Sequence, residues 1–168
     1  MTIALNDITI RTTLQPGDIG YVVYLHGLLY KQEYDYQTQF EVYVAEGLCE
    51  FYHNYNEQRD RVWIAEHQNR IVGFLLLMNR GEAAQLRYFI IAPEYRGISL
   101  GKKMMECYYS FLLECGYSSS YLWTTNELPA AASLYRRLGF TLVEEKPSTA
   151  FGKPLIEQKY LLRLPLQL

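Results

Sequence analysis

The chain has 168 residues and a net charge of −2, so it fits one domain (1–168) with a core that needs no staples, and it has no basic field to recommend nucleic acid as a partner. No segment approaches the roughly eighteen uninterrupted apolar residues of a membrane span, and Met1 to Ile10 lacks the basic and apolar stretches of a signal peptide, which points to a cytoplasmic protein. The three cysteines, Cys49, Cys107 and Cys115, have no metal-type spacing. Cys107 and Cys115 fall on the apolar side of one helical pattern, which predicts core packing in a reducing compartment.

Ile8 to Leu14 alternates as a half-buried strand does, and Pro16-Gly17-Asp18 ends it and starts a helix. Three- and four-residue spacing of apolar side chains predicts helices over Ile19 to Tyr30 and Gln37 to Tyr52. Arg61 to Glu66, Ile71 to Met78 and Ala83 to Ala92 read as strands joined by turns at His67-Gln68-Asn69-Arg70 and Asn79-Arg80-Gly81. Leu100, Met104, Cys107, Phe111 and Cys115 trace one face of a helix that stops at Gly116. A strand within Tyr117 to Thr125 precedes a short helix over Pro129 to Leu138, with Asn126 as its expected cap and Gly139 as its left-handed stop. Phe140 to Glu145 and Ile156 to Leu164 close the chain as strands. The result is a mixed α/β chain of seven strands and four helices.

Leu86 to Lys103 carries the most chemistry. An apolar strand ends at Ala92 and Pro93, and Arg96-Gly97-Ile98-Ser99-Leu100-Gly101-Lys102 then opens a helix. Such a junction aims several unpaired main-chain N–H groups at one spot, where the positive end of the helix dipole adds to them, so the expected ligand is an anion. Gly97 and Gly101 let the backbone approach it closely, and Ser99 is placed to cap the helix or to donate its hydroxyl.

These residues resemble the Arg/Gln-x-x-Gly-x-Gly/Ala loop with which GCN5-related N-acetyltransferases (GNAT proteins) hold the pyrophosphate of acetyl-coenzyme A, with Ser99 where that pattern usually has glycine. Ala131-Ala132-Ser133-Leu134-Tyr135-Arg136-Arg137-Leu138-Gly139-Phe140 resembles the family's second signature, a helix bearing a tyrosine and ending in Leu-Gly-Phe. The first part, with His26-Gly27, Tyr30, Glu33-Tyr34 and Phe40-Glu41, is most similar to acetyltransferase domains fused behind MarR-type regulators. No such regulator stands within these residues, so the resemblance implies a free-standing relative or a different subfamily.

The resemblance implies a sheet with splayed central strands and a pantetheine arm bonded to the main chain around Phe89, Ile90 and Ile91. It implies direct attack by an amine on acetyl-coenzyme A, without an acyl-enzyme and without metal. A free alkylamine has a pKa near ~10 and the coenzyme thiol resembles cysteine at ~8.5, so the amine must lose a proton and the thiolate should gain one. Tyr135 holds the position of the family's proton donor; without the family it reads as a core tyrosine. Glu41 is preferred as general base over Glu33 and His26, beside the alternatives of a solvated glutamate and a water chain. The family's cofactor-binding Asn, seven residues before the tyrosine, is here Leu128.

The acceptor is expected to be a small-molecule or protein amine. Tyr24, Tyr30, Tyr34 and Tyr36 suggest ring faces for an apolar or cationic one. Members of the family often form homodimers, which the sequence neither supports nor excludes. A non-catalytic acyl-coenzyme A sensor with the same fold is the alternative from a different functional class.

Overall fold

The computed structural model describes residues 3–165. Its order is β1 (Thr9–Arg11), α1 (Asp18–Tyr34), α2 (Thr38–His53), β2 (Arg61–His67), β3 (Arg70–Arg80), β4 (Ala83–Ile91), α3 (Leu100–Glu114), β5 (Ser119–Thr125), α4 (Pro129–Arg137), β6 (Thr141–Ser148) and β7 (Leu155–Arg163). This is the mixed α/β succession that periodicity and turn residues predict. Contacts divide the chain into two compact units, one from the described parts of Met1–Thr13, Asn56–Ser120 and Arg163–Leu168, the other from Leu14–Tyr55 and Tyr121–Leu162.

In the first unit β1, β2, β3 and β4 pair antiparallel in that order. The β2–β3 hairpin turns on Gln68 and Asn69, both left-handed (φ 49° and 62°), so the turn is two residues shorter than the sequence suggests and both strands gain length. β3 buries every residue from Ile71 to Met78, as a strand covered on both faces must, and its continuous apolar run reflects that. α3 approaches it at Gly73, where a Cβ would stand 3.2 Å from the Met104 sulfur. Trp63 packs its ring 5.9 Å from Tyr108 and 6.0 Å from Phe111, and the Tyr108 hydroxyl meets Ser120 Oγ at 2.7 Å. The Asp60 carboxylate accepts the N–H groups of Asn56 and Asn79 at 2.8 and 2.6 Å, tying the loop before β2 to the end of β3.

The buried face of α3 differs from the expected one. It consists of Leu100, Met104, Met105, Tyr108, Phe111 and Leu112. Cys107 and Cys115 are half-buried instead: Cys107 lines a groove with Arg61 and Trp63, and Cys115 Sγ donates to the Gln58 carbonyl at 3.3 Å. α3 is apolar over so much of its circumference that spacing alone does not choose the face; Tyr108 and Leu112, larger than the cysteines, take the core positions.

The second unit pairs β5, β7 and β6 in that order and carries α1, α2 and α4. α1 starts after left-handed Gly17 (φ 96°) and runs four residues beyond the expected end, to a left-handed Asp35. Val22, Leu25 and Leu29 of α1 and Phe40, Val44, Leu48 and Phe51 of α2 are buried. Asn126 is not a helix cap. Its Oδ1 accepts the Ile156 N–H at 3.0 Å and its N–H donates to the Ile156 carbonyl at 3.0 Å, while Leu128 takes the N-cap position of α4. Gly139 is left-handed (φ 96°), as the stop signal requires.

Candidate functional site

The strand–loop–helix junction of the first unit is built in three steps. β4 ends at Ile91, a single 3₁₀ turn over Pro93–Tyr95 reverses the chain, and α3 starts at Leu100. Tyr95 anchors the turn: its ring is buried, and its hydroxyl lies 2.9 Å from His67 Nδ1 at the tip of the β2–β3 hairpin. The Arg96 side chain turns back toward the strand and donates Nε–H to the Ile91 carbonyl at 3.0 Å.

The main-chain amides of this loop decide what it can hold. Arg96 N–H is taken by the Pro93 carbonyl at 3.2 Å, so the amide of Arg96 is not available to a ligand. The next amide in the chain with a main-chain acceptor is Lys103, bonded to the Ser99 carbonyl at 3.0 Å. Among the described residues no protein carbonyl accepts the N–H groups of Gly97, Ile98, Ser99, Leu100, Gly101 and Lys102. The expected cradle therefore begins at Gly97, with the positive end of the α3 dipole behind it.

Gly97 and Ser99 are both left-handed, at φ 82° and 68°. Ser99 sits at the N-cap without a side-chain cap bond, so it supplies backbone shape and not the expected capping hydroxyl. An L-residue there costs on the order of 1–2 kcal/mol, which explains why glycine suits the position and what serine must overcome. Lys102 is exposed, with Nζ 3.9 Å from the Glu106 carboxylate on the next turn.

β4 itself is irregular beside the loop. Ile90 and Ile91 pair with Phe74 and Gly73 of β3, but the register then steps past Tyr88 and Phe89 to pair Arg87 with Leu76. Tyr88 is left-handed (φ 57°), and the Arg87 guanidinium lies 4.6 Å over its ring. This bulge re-aims the main chain at Phe89, Ile90 and Ile91. Nothing in the sequence marks it, because the residue in the strained conformation is a tyrosine and not a glycine or asparagine.

The side chains proposed for proton transfer lie in the second unit. Tyr135 on α4 is buried, with its ring centroid 6.1 Å from Phe140 and 6.4 Å from Tyr160. Burial pushes its phenol well above the ordinary value, so it stays protonated through neutral pH. Tyr30 is raised too, first by burial and then by the proximity of Tyr135, Tyr34 and Tyr36. Tyr30 stacks on Phe40 at 4.4 Å and stands 5.5 Å from Tyr36, whereas Tyr24, expected with them, is 58% exposed and apart. Phe151, from the β6–β7 loop, closes the cluster at 4.9 Å from Phe40 and 5.3 Å from Tyr36.

The candidate bases divide. Glu41 and Glu33 are exposed, and the Glu41 carboxylate lies across Gly27, where a Cβ would meet Oε2 at 2.5 Å. His26 is buried and donates Nδ1–H to the Val22 carbonyl at 2.8 Å, one turn back on α1. Among the described residues no group of three or more His, Cys, Asp or Glu is arranged to hold a metal ion, and no helix is long and apolar enough to cross a membrane.

The sequence model of the acetyltransferase (GNAT) domain matches residues 58–142. The chain belongs to the GNAT family. The matched stretch runs from the loop before β2 to the start of β6, so it includes the phosphate-type loop and Tyr135. A relative named uncharacterized N-acetyltransferase YjgM, from Escherichia coli K12, is 29% identical over 102 residues, which are 58% of this chain and 61% of that protein. The chain thus spans less than two thirds of that relative's length. Solved structures share the GNAT fold at low identity. An acetyltransferase from Streptococcus agalactiae 2603 has a TM-score of 0.74 at 19% identity, covering 95% of this chain and 100% of that one. A GNAT family acetyltransferase from Elizabethkingia anophelis, with acetyl-CoA bound, has a TM-score of 0.66 at 15% identity, covering 95% and 99%.

Proposed function

We propose that this GNAT protein, with residues 1–168 acting as one domain, is an N-acetyltransferase. It transfers acetyl from acetyl-coenzyme A to a primary amine of a small molecule or protein, by direct attack in a ternary complex. The observation that carries the reading is the run of six main-chain N–H groups, Gly97 to Lys102, without protein acceptors at a helix start. A diphosphate is a ligand of the right charge and shape for it.

In this reading Gly97, Ile98, Ser99, Leu100, Gly101 and Lys102 bind the diphosphate, and Arg96 supports the loop through Ile91. The main chain at Phe89, Ile90 and Ile91 holds the pantetheine arm as an added strand, and one N–H there stabilises the developing oxyanion. The amine, having lost its proton to Glu41 or to water, attacks the thioester carbonyl; the C–S bond breaks and the Tyr135 phenol protonates the departing thiolate. Cys49, Cys107 and Cys115 stand unbridged, in keeping with a cytoplasmic protein. Kinship with MarR-fused acetyltransferase domains, and homodimerisation, belong to the same proposal.

The second reading, an acyl-coenzyme A sensor, is favoured by one observation: the two carboxylate candidates for the base, Glu41 and Glu33, are exposed to solvent. Calorimetry with acetyl-coenzyme A, joined to thiol release over a broad amine panel, separates the two. Binding with turnover supports the transferase; binding without turnover on any amine supports the sensor.

A further inference from the structure

The run from Gly97 to Lys102 gives none of its N–H groups to a protein carbonyl, so its shape before a ligand arrives depends on what holds its two ends. At the far end Leu100 is buried at the start of α3. The near end is held by the tip of the β2–β3 hairpin. The Ala92 N–H donates to the Val72 carbonyl at 2.8 Å, and the Tyr95 N–H closes the 3₁₀ turn on the Ala92 carbonyl at 2.9 Å. Tyr95 is 6% exposed, and its hydroxyl meets His67 Nδ1 at 2.9 Å with the two rings edge to face at 5.5 Å.

The hairpin tip is itself firmly placed. His67 ends β2 and pairs with Arg70 across the two left-handed residues Gln68 and Asn69. Its neighbour Glu66 is tied to β1 by Arg11, whose Nε donates to Oε1 at 2.9 Å. The β2–β3 register steps between Ala65 and Glu66, a bulge of the kind that re-aims a side chain at a strand end. A neutral imidazole with its lone pair on Nδ1 accepts the Tyr95 O–H, and a protonated one donates to the same oxygen, so the contact holds in both charge states. Without that partner a phenol so deep in the turn loses a hydrogen bond that water does not readily replace, and the turn must shift to recover one.

We propose that His67 is a positioning residue for the cosubstrate. Through the Tyr95 hydroxyl it fixes the entry to the diphosphate loop, so that the amides of Gly97 to Lys102 converge before the ligand binds. This rests on the diphosphate-binding part of the reading above. His67 acts on affinity for coenzyme A and not on the chemical step.

The test is calorimetry of the full chain with coenzyme A, in His67→Ala, Tyr95→Phe, the two combined, and His67→Asn. His67→Ala and Tyr95→Phe are each expected to weaken coenzyme A about tenfold, and the double variant should be no weaker than either, because both changes remove one contact. His67→Asn keeps an amide oxygen where Nδ1 stands and should bind within about threefold of the unaltered protein, a rescue that a space-filling histidine would not show. In turnover, the KM of acetyl-coenzyme A should rise in His67→Ala by the factor seen in calorimetry while kcat stays within about twofold. Unchanged affinity in His67→Ala overturns the inference and leaves the diphosphate reading intact. Additive losses in the double variant, or no recovery in His67→Asn, overturn it as well, since His67 then acts by another route. An unaltered protein that does not bind coenzyme A overturns the diphosphate reading and this inference with it. Should His67→Ala lose its fold, judged by circular dichroism, Tyr95→Phe and His67→Asn carry the test: unchanged affinity in the first, or an equal loss in both, overturns the inference.

Discussion

The loop from Gly97 to Lys102 and the aromatic cluster around Tyr36 offer ligands opposite kinds of chemistry. In the loop the donors are main-chain N–H groups, fixed by two left-handed residues and a helix start, and side-chain identity matters little beyond what that shape requires. In the cluster everything depends on side chains: Tyr30, Tyr34, Tyr36, Phe40 and Phe151 pack ring to ring, and Glu127 and Lys153 meet across 26 residues of sequence. A main-chain site suits a cosubstrate that never changes. A side-chain site can be altered by single substitutions, which suits an acceptor that differs from one relative to the next.

The largest effect should come from breaking the loop. Gly101→Glu adds bulk and a negative charge at the start of α3, and should weaken acetyl-coenzyme A at least about 100-fold, or roughly 3 kcal/mol, in calorimetry, with Tm little changed. Unaltered affinity would mean that these amides do not face the diphosphate. In the other region, Tyr135→Phe removes the proposed acid without emptying its space, and kcat should fall about 100-fold while acetyl-coenzyme A affinity stays within about twofold. Retained turnover would take the proton donor out of the scheme.

A smaller effect concerns pH. Because burial raises the Tyr135 phenol, its protonated form persists through neutral and mildly alkaline solution, so kcat should rise as the amine deprotonates and should not fall below about pH 10 for want of the acid. A descending limb near pH 8 or 9 in a stopped-time thiol assay would contradict that assignment. The smallest effect should come from Ser99→Gly. It relieves a left-handed serine at φ 68° but loosens the unfolded chain, so a net gain of about 0.5 kcal/mol in denaturant melts is expected, with acetyl-coenzyme A affinity unchanged. A marked loss of affinity would show that the Ser99 hydroxyl touches the ligand after all.

Features set by local chemistry were legible before any coordinates. The glycines at 97, 101 and 139, the Pro93 stop and the alternation of β-branched residues announce turns and element ends within a few residues, and every strand and helix lies where they place it to within a few positions. What depends on distant partners was not legible. Asn126 reads as a cap until β7 offers it the main chain of Ile156, thirty residues on. Cys107 and Cys115 read as core until Tyr108 and Leu112 are seen to occupy that side of α3. The bulge at Tyr88 carries no glycine to announce it, and Glu127 gains its ion pair only when the fold brings Lys153, 26 residues on, beside it.

The most direct check on the central claim is the response of individual amides to ligand, followed by ¹⁵N–¹H spectra of the labelled protein titrated with coenzyme A and, separately, with pantetheine, which lacks the diphosphate. Coenzyme A should shift the amides of Gly97 to Lys102 and slow their hydrogen exchange while leaving Arg96, already bonded to Pro93, much less affected; pantetheine should leave all of them unmoved. Tight binding of coenzyme A with no change at those six amides would contradict the account.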